Sequence, residues 1–138
     1  MKILVLLHLI LISIWGGVLL AEFVIETLAQ AEHSMRWAAR THYCIDILFE
    51  LPLVLAILFT GLLLTYQRWP LTLLHWIKII CALIAIFLNL DCCRRVMLRF
   101  HTQHNVEQLK QHTQAIKISA LGVPFGLIAF FLGFYLNK

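Results

Sequence analysis

The stretch 3-ILVLLHLILISIWGGVLLAEFVIET-27 decides the fold, because its apolar run is interrupted by only three ionisable residues, His8, Glu22 and Glu26. A spanning helix needs about 20 mostly apolar residues, and this segment exceeds that length. Lys2 ahead of the run and Ala29-Gln30-Ala31 behind it resemble the flanks of a signal peptide. The run is too long for that reading, and it is taken as a first membrane span.

Further apolar stretches follow at about residues 44–66, 71–91 and 116–136. In a chain of 138 residues, 62% hydrophobic with a mean hydropathy of +0.88, they leave no length for an extramembrane catalytic domain. The expected fold is all-α: an integral membrane four-helix bundle with up-and-down topology, forming one transmembrane domain over residues 1–138. Trp69-Pro70 separates the second and third spans, since proline removes a donor and restricts its predecessor. The polar segment 92–115 is expected to continue the third helix beyond the membrane. Gly122, Gly126 and Gly133 form a small-residue seam on the fourth helix, suited to close packing within the bundle or against a second copy, and Pro124 is expected to kink it.

Basic residues are unevenly distributed. Arg36, Arg40, Arg94, Arg95, Arg99, Lys110 and Lys117 flank one side of the expected bundle, whereas Lys2, Arg68, Lys78 and Lys138 flank the other. The positive-inside rule puts the larger set in the cytoplasm and both termini on the outer side of a cell inner membrane. Orientation against anionic lipid accounts for the net charge of +4, and no nucleic-acid partner is required.

Polar residues within the spans fall into stripes. His8, Trp15 and Glu22 recur at intervals of seven, and His42, Asp46 and Glu50 at intervals of four, so each set shares one helix face. Glu50 is expected to lie deepest and farthest from a cation, while Glu22 is expected to pair with Arg36 or Arg40. His8 and His75 should lie at similar depth on the first and third helices, which suits two imidazoles holding a flat cofactor such as haem, with Lys78 as another candidate axial base. Trp15 would form a cofactor wall. On the opposite side His33, His42, Cys92 and Cys93 suggest a transition-metal site, and His101 and His104 share a helical face. The four cysteines show neither CxxC nor CxxCH spacing, which argues against a zinc ribbon and covalent haem.

Leu7-His8 followed by Trp15-Gly16-Gly17, then Glu50-Leu51-Pro52 running to Thr60-Gly61, then Pro70 and His75-Trp76-Ile77-Lys78, resembles the small membrane haem proteins related to HemJ-type protoporphyrinogen oxidase and to CopD-like copper-resistance domains. The resemblance covers about the first ninety residues. It implies haem b in the bundle, His8 as axial ligand, and Lys78 in or near the site. It further implies electron transfer or porphyrin-linked oxidation, with Glu50 and Lys78 as catalytic candidates and a redox partner or porphyrin substrate. The CopD-like branch implies copper handling instead, and a third expectation is a non-catalytic assembly subunit. Asn89-Leu90-Asp91, where HemJ-type enzymes tend to carry a histidine, and Cys92-Cys93-Arg94-Arg95 depart from the pattern.

Overall fold

The computed structural model describes residues 2–29, 32–102, 105–119 and 122–136, and every regular element among them is helical. Helix α1 spans Lys2–Leu28. Helix α2, Glu32–Ile45, runs through a π turn at Asp46–Glu50 directly into α3, Leu51–Gln67. Helix α4 spans Leu73–His101, α5 Val106–Ser119 and α6 Gly122–Tyr135. Three helical stretches, Lys2–Leu28, Ser34–Gln67 and Leu73–His101, are long and apolar enough to cross a membrane.

The second rod is longer than expected. Its helix begins at Glu32 rather than near residue 44, so most of the segment expected as a loop is helical. Ala38 and Ala39 are fully buried, and on the same element Tyr43 stacks on Phe100 of α4 with ring centroids 4.3 Å apart. Tertiary packing thus stabilises a polar helix that an apolar run cannot reveal.

The π turn has a local cause. In a regular α-helix the Pro52 ring would collide with the Leu48 carbonyl four residues back. Instead the chain widens, and the Leu51 N–H donates to the carbonyl of Asp46, five residues earlier.

Within the fourth stretch, expected over 116–136, the described residues are helical on both sides of 120–121: α5 ends at Ser119 and α6 covers Gly122–Tyr135. Pro124 lies within α6.

Helix α1 packs along α2 and α3, while α4 is central and meets α2, α5 and α6. Arg68 Nη1 donates to the Leu136 carbonyl at 3.1 Å, tying the end of α3 to the end of α6. Burial is inverted relative to a water-soluble domain. Ile3 (84%), Phe87 (72%), Phe59 and Leu62 are exposed, whereas His8, Glu22, His42, Asp46, Glu50, Thr60, Asn89 and Arg99 are buried. A small apolar core of Trp15, Val54, Ile57 and Ala85 lies among them.

The glycine seam of α6 turns inward. A Cβ on Gly122 would sit 3.2 Å from Leu88 Cβ, one on Gly126 3.7 Å from Trp15, and one on Gly133 3.1 Å from Lys78 Cε. Gly16 has nothing within 4 Å. Gly122→Leu should therefore destabilise the protein by about 1–3 kcal/mol in mixed-micelle unfolding followed by circular dichroism. Gly16→Leu should be nearly neutral, and equal effects would show that α6 does not pack as described.

Candidate functional site

Two regions of the interior carry chemistry, and one hydrogen bond connects them. The first is a cavity bounded by α1, α3, α4 and α6, with an empty volume of about 750 Å³ including its open mouth. His8, Trp15, Gly61, Lys78 and Gly126 line it among apolar side chains.

The ring of His8 is held by its neighbours. His8 Nδ1 lies 2.7 Å from Thr60 Oγ1. The single Thr60 proton is directed to the carbonyl of Ala56 at 2.8 Å, with that of Ile57 at 3.1 Å. With the hydroxyl proton on a carbonyl, the Thr60 oxygen is free to accept from an Nδ1–H, the tautomer that leaves the lone pair on Nε2. Gly61 makes room for this ring, since a Cβ there would sit 3.3 Å from His8 Cε1.

Trp15 forms part of the cavity wall and donates its indole N–H to Glu50 Oε1 at 3.1 Å. The other Glu50 oxygen accepts from the Cys93 thiol at 3.6 Å, and Cys93 lies 3.9 Å from Asn89 Nδ2. Glu50 is 1% exposed, so the deepest carboxyl foreseen in the sequence is buried and rests on an indole and a thiol.

The second region starts there. Asp46 is fully buried, and His42 Nε2 lies 3.4 Å from Asp46 Oδ1 and 3.4 Å from Glu22 Oε2. His42 Nδ1 lies 2.6 Å from Glu26 Oε1. Glu26 is clamped by Arg99, whose Nη1 donates to Oε2 at 2.8 Å while Nη2 donates to Oε1. Arg99 is 1% exposed. Three rods therefore converge on one polar cluster: α1 through Glu22 and Glu26, α2 and its π turn through His42, Asp46 and Glu50, and α4 through Cys93 and Arg99.

The structure distributes the expected site residues as follows. His8, Trp15 and Lys78 share the first cavity. His75 lines an adjacent one together with Arg68 and Lys78, and its Nδ1 lies 2.7 Å from Thr72 Oγ1 at the start of α4. Lys78 thus borders both cavities, whereas the two imidazoles do not share one. Glu22 contacts His42 rather than Arg36 or Arg40 as its nearest charged partner. Cys44 is exposed, Cys92 is half-buried and all four cysteines are free thiols. His104 and the side chain of His33 lie outside the described residues, and His101 is exposed with Nδ1 2.7 Å from the Met97 carbonyl.

Thr60, Glu26 and Arg99 were not among the site residues read from the sequence. A signal for one of them existed: Asn89, Cys93, Val96 and Arg99 continue the buried stripe of α4 at helical spacing past residue 91. Compared with protein-family models, with curated proteins and with solved structures, the chain matches none.

Removing one member of a buried ion pair strands the other. Arg99→Ala should lower stability by about 3–5 kcal/mol. The double variant Glu26→Gln/Arg99→Met should recover most of that loss in the same unfolding assay. Additive losses would show that the two side chains do not act as a pair.

Proposed function

We propose that this chain is a multi-pass inner-membrane protein that binds haem b against His8 and acts in electron transfer or porphyrin-linked oxidation. Membrane insertion is supported by the three spanning-length helices and by apolar side chains on the outside with polar ones within. Both termini would lie on the outer side, since Arg94, Arg95 and Arg99 cluster at the end of α4 opposite Arg68.

One observation carries the haem reading: a histidine lines a mostly apolar cavity with its Nδ1 2.7 Å from the Thr60 hydroxyl. Metal-ligating histidines are oriented in this way, the far nitrogen donating to a fixed acceptor so that the near one keeps its lone pair. The donor set fits the group. His8 Nε2 would be the axial ligand, Trp15 a wall, and Gly61 and Gly126 leave space that larger side chains would fill. Lys78 borders the same cavity and would offer a second nitrogen to the group, whereas His75 lines the adjacent one. Haem, when bound, supplies one-electron exchange at its iron. The protein's own contribution is to fix the imidazole, exclude water from the apolar walls and set the local charge through Lys78 and Glu50.

The test is the absorption spectrum of the full chain, produced with haem available and solubilised in detergent. Wild-type protein should show a Soret band that shifts on reduction. His8→Ala should abolish it, and Thr60→Val, which removes the acceptor, should weaken haem affinity by about 10- to 100-fold. Lys78→Met should alter the reduced spectrum. Colourless wild-type protein, or a band indifferent to His8→Ala, overturns the proposal.

A further inference from the structure

We propose that Glu22, His42 and Asp46 form a second site, independent of the haem reading, that binds one divalent first-row transition-metal ion between α1 and the π turn. One ligand atom from each of these three buried residues falls within 4.8 Å of the others. The cluster is more than a collection of acids, because its polar atoms lack the partners that burial demands.

Both Asp46 oxygens, Glu22 Oε1 and His42 Nε2 are buried without a hydrogen bond. An unsatisfied buried polar atom costs on the order of 1–3 kcal/mol. Several within one contact shell need a common explanation.

Orientation of the imidazole supplies it. Nδ1 stands 2.6 Å from a Glu26 oxygen, a separation that requires a proton between them, and Glu26 is itself held by Arg99. Nδ1 is therefore the donor, and Nε2 faces Glu22 and Asp46. This is the ring orientation of the carboxylate–histidine–metal arrangement, with Glu26 as the outer carboxylate. Two buried carboxylates converging on one ring nitrogen need a positive charge among them, either a proton on Nε2 or a metal ion.

Distances favour a metal ion over a shared proton. Both N···O separations are 3.4 Å, beyond the range of about 2.7–3.2 Å for N–H···O bonds. Ligands about 2.1 Å from a tetrahedral centre are about 3.4 Å from each other. Charge agrees with geometry: Arg99 is matched by Glu26, so a dication would neutralise Glu22 and Asp46. One imidazole with two carboxylates is a borderline set suited to Zn²⁺, Mn²⁺ or Fe²⁺, harder than cuprous copper prefers. Asp46 also belongs to a group with Glu50 and Cys93, which places further donors beside the ion.

The experiment uses the full chain in detergent, stripped with a chelator and titrated with Zn²⁺ against a chromophoric competitor, with Co²⁺ as a spectroscopic probe. Wild-type protein should bind one Zn²⁺ per chain. Asp46→Asn and Glu22→Gln should each weaken binding by about 100-fold or more, while His8→Ala, which removes the proposed haem ligand, should bind Zn²⁺ like wild type. Wild-type protein that binds neither ion, variants that bind as wild type does, or equal occupancy by Mg²⁺ alone overturns the proposal. Should a variant unfold, pulsed EPR of Mn²⁺-loaded wild-type protein decides: coupling to an imidazole nitrogen supports the site, and its absence overturns it.

Discussion

The bidentate pair between Arg99 and Glu26 is the contact on which the rest of the interior depends. It joins the ends of α4 and α1, and by fixing a Glu26 oxygen 2.6 Å from His42 Nδ1 it brings in α2. A guanidinium suits this role because its fork presents parallel donors to both carboxylate oxygens at once. Neither charge has water to fall back on, since Arg99 is 1% exposed. The direction of every polar group further inside follows from that anchor: His42 turns Nε2 inward, and Asp46 and Glu22 meet it.

A second joint connects the polar cluster to the cavity. The Trp15 indole presents its ring to the cavity and its N–H to Glu50, whose other oxygen meets Cys93. Charges separated by a few ångströms in a poorly solvated interior interact far more strongly than they would in water. A change in charge on the cluster side is therefore felt at the cavity through a path one side chain wide. The apolar core of Trp15, Val54, Ile57 and Ala85 closes around this joint and keeps the two regions otherwise apart.

What the sequence disclosed, and what it hid, follows from how helices repeat. The seven-residue stripe His8, Trp15, Glu22 and the four-residue stripe His42, Asp46, Glu50 were legible because a long helix keeps such residues on one face, and all six are buried. Azimuth was not legible. At about 100° per residue, Lys78 lies about 20° from Ala85 on the buried stripe of α4, whereas His75 lies about 80° from it, and His75 lines the adjacent cavity rather than that of His8. The helicity of 32–43 was hidden because tertiary packing, not an apolar run, stabilises that polar segment. Glu26 and Arg99 were hidden because they lie 73 residues apart and meet only in the folded chain.

With large apolar side chains on the outside and polar ones within, register between the helices comes from polar contacts and close small-residue packing. Arg99, Glu26 and His42 Nδ1 provide it at one end of the rods. Gly122, Gly126 and Gly133 seat α6 on α4 and Trp15, and Arg68 on the Leu136 carbonyl fastens the other end. Within this frame both Asp46 oxygens, Glu22 Oε1 and His42 Nε2 are buried without a hydrogen bond. An apolar residue of similar volume would fill those positions at lower cost. These groups meet at the π turn, where the backbone departs from the α-helix and carries both Asp46 and Glu50.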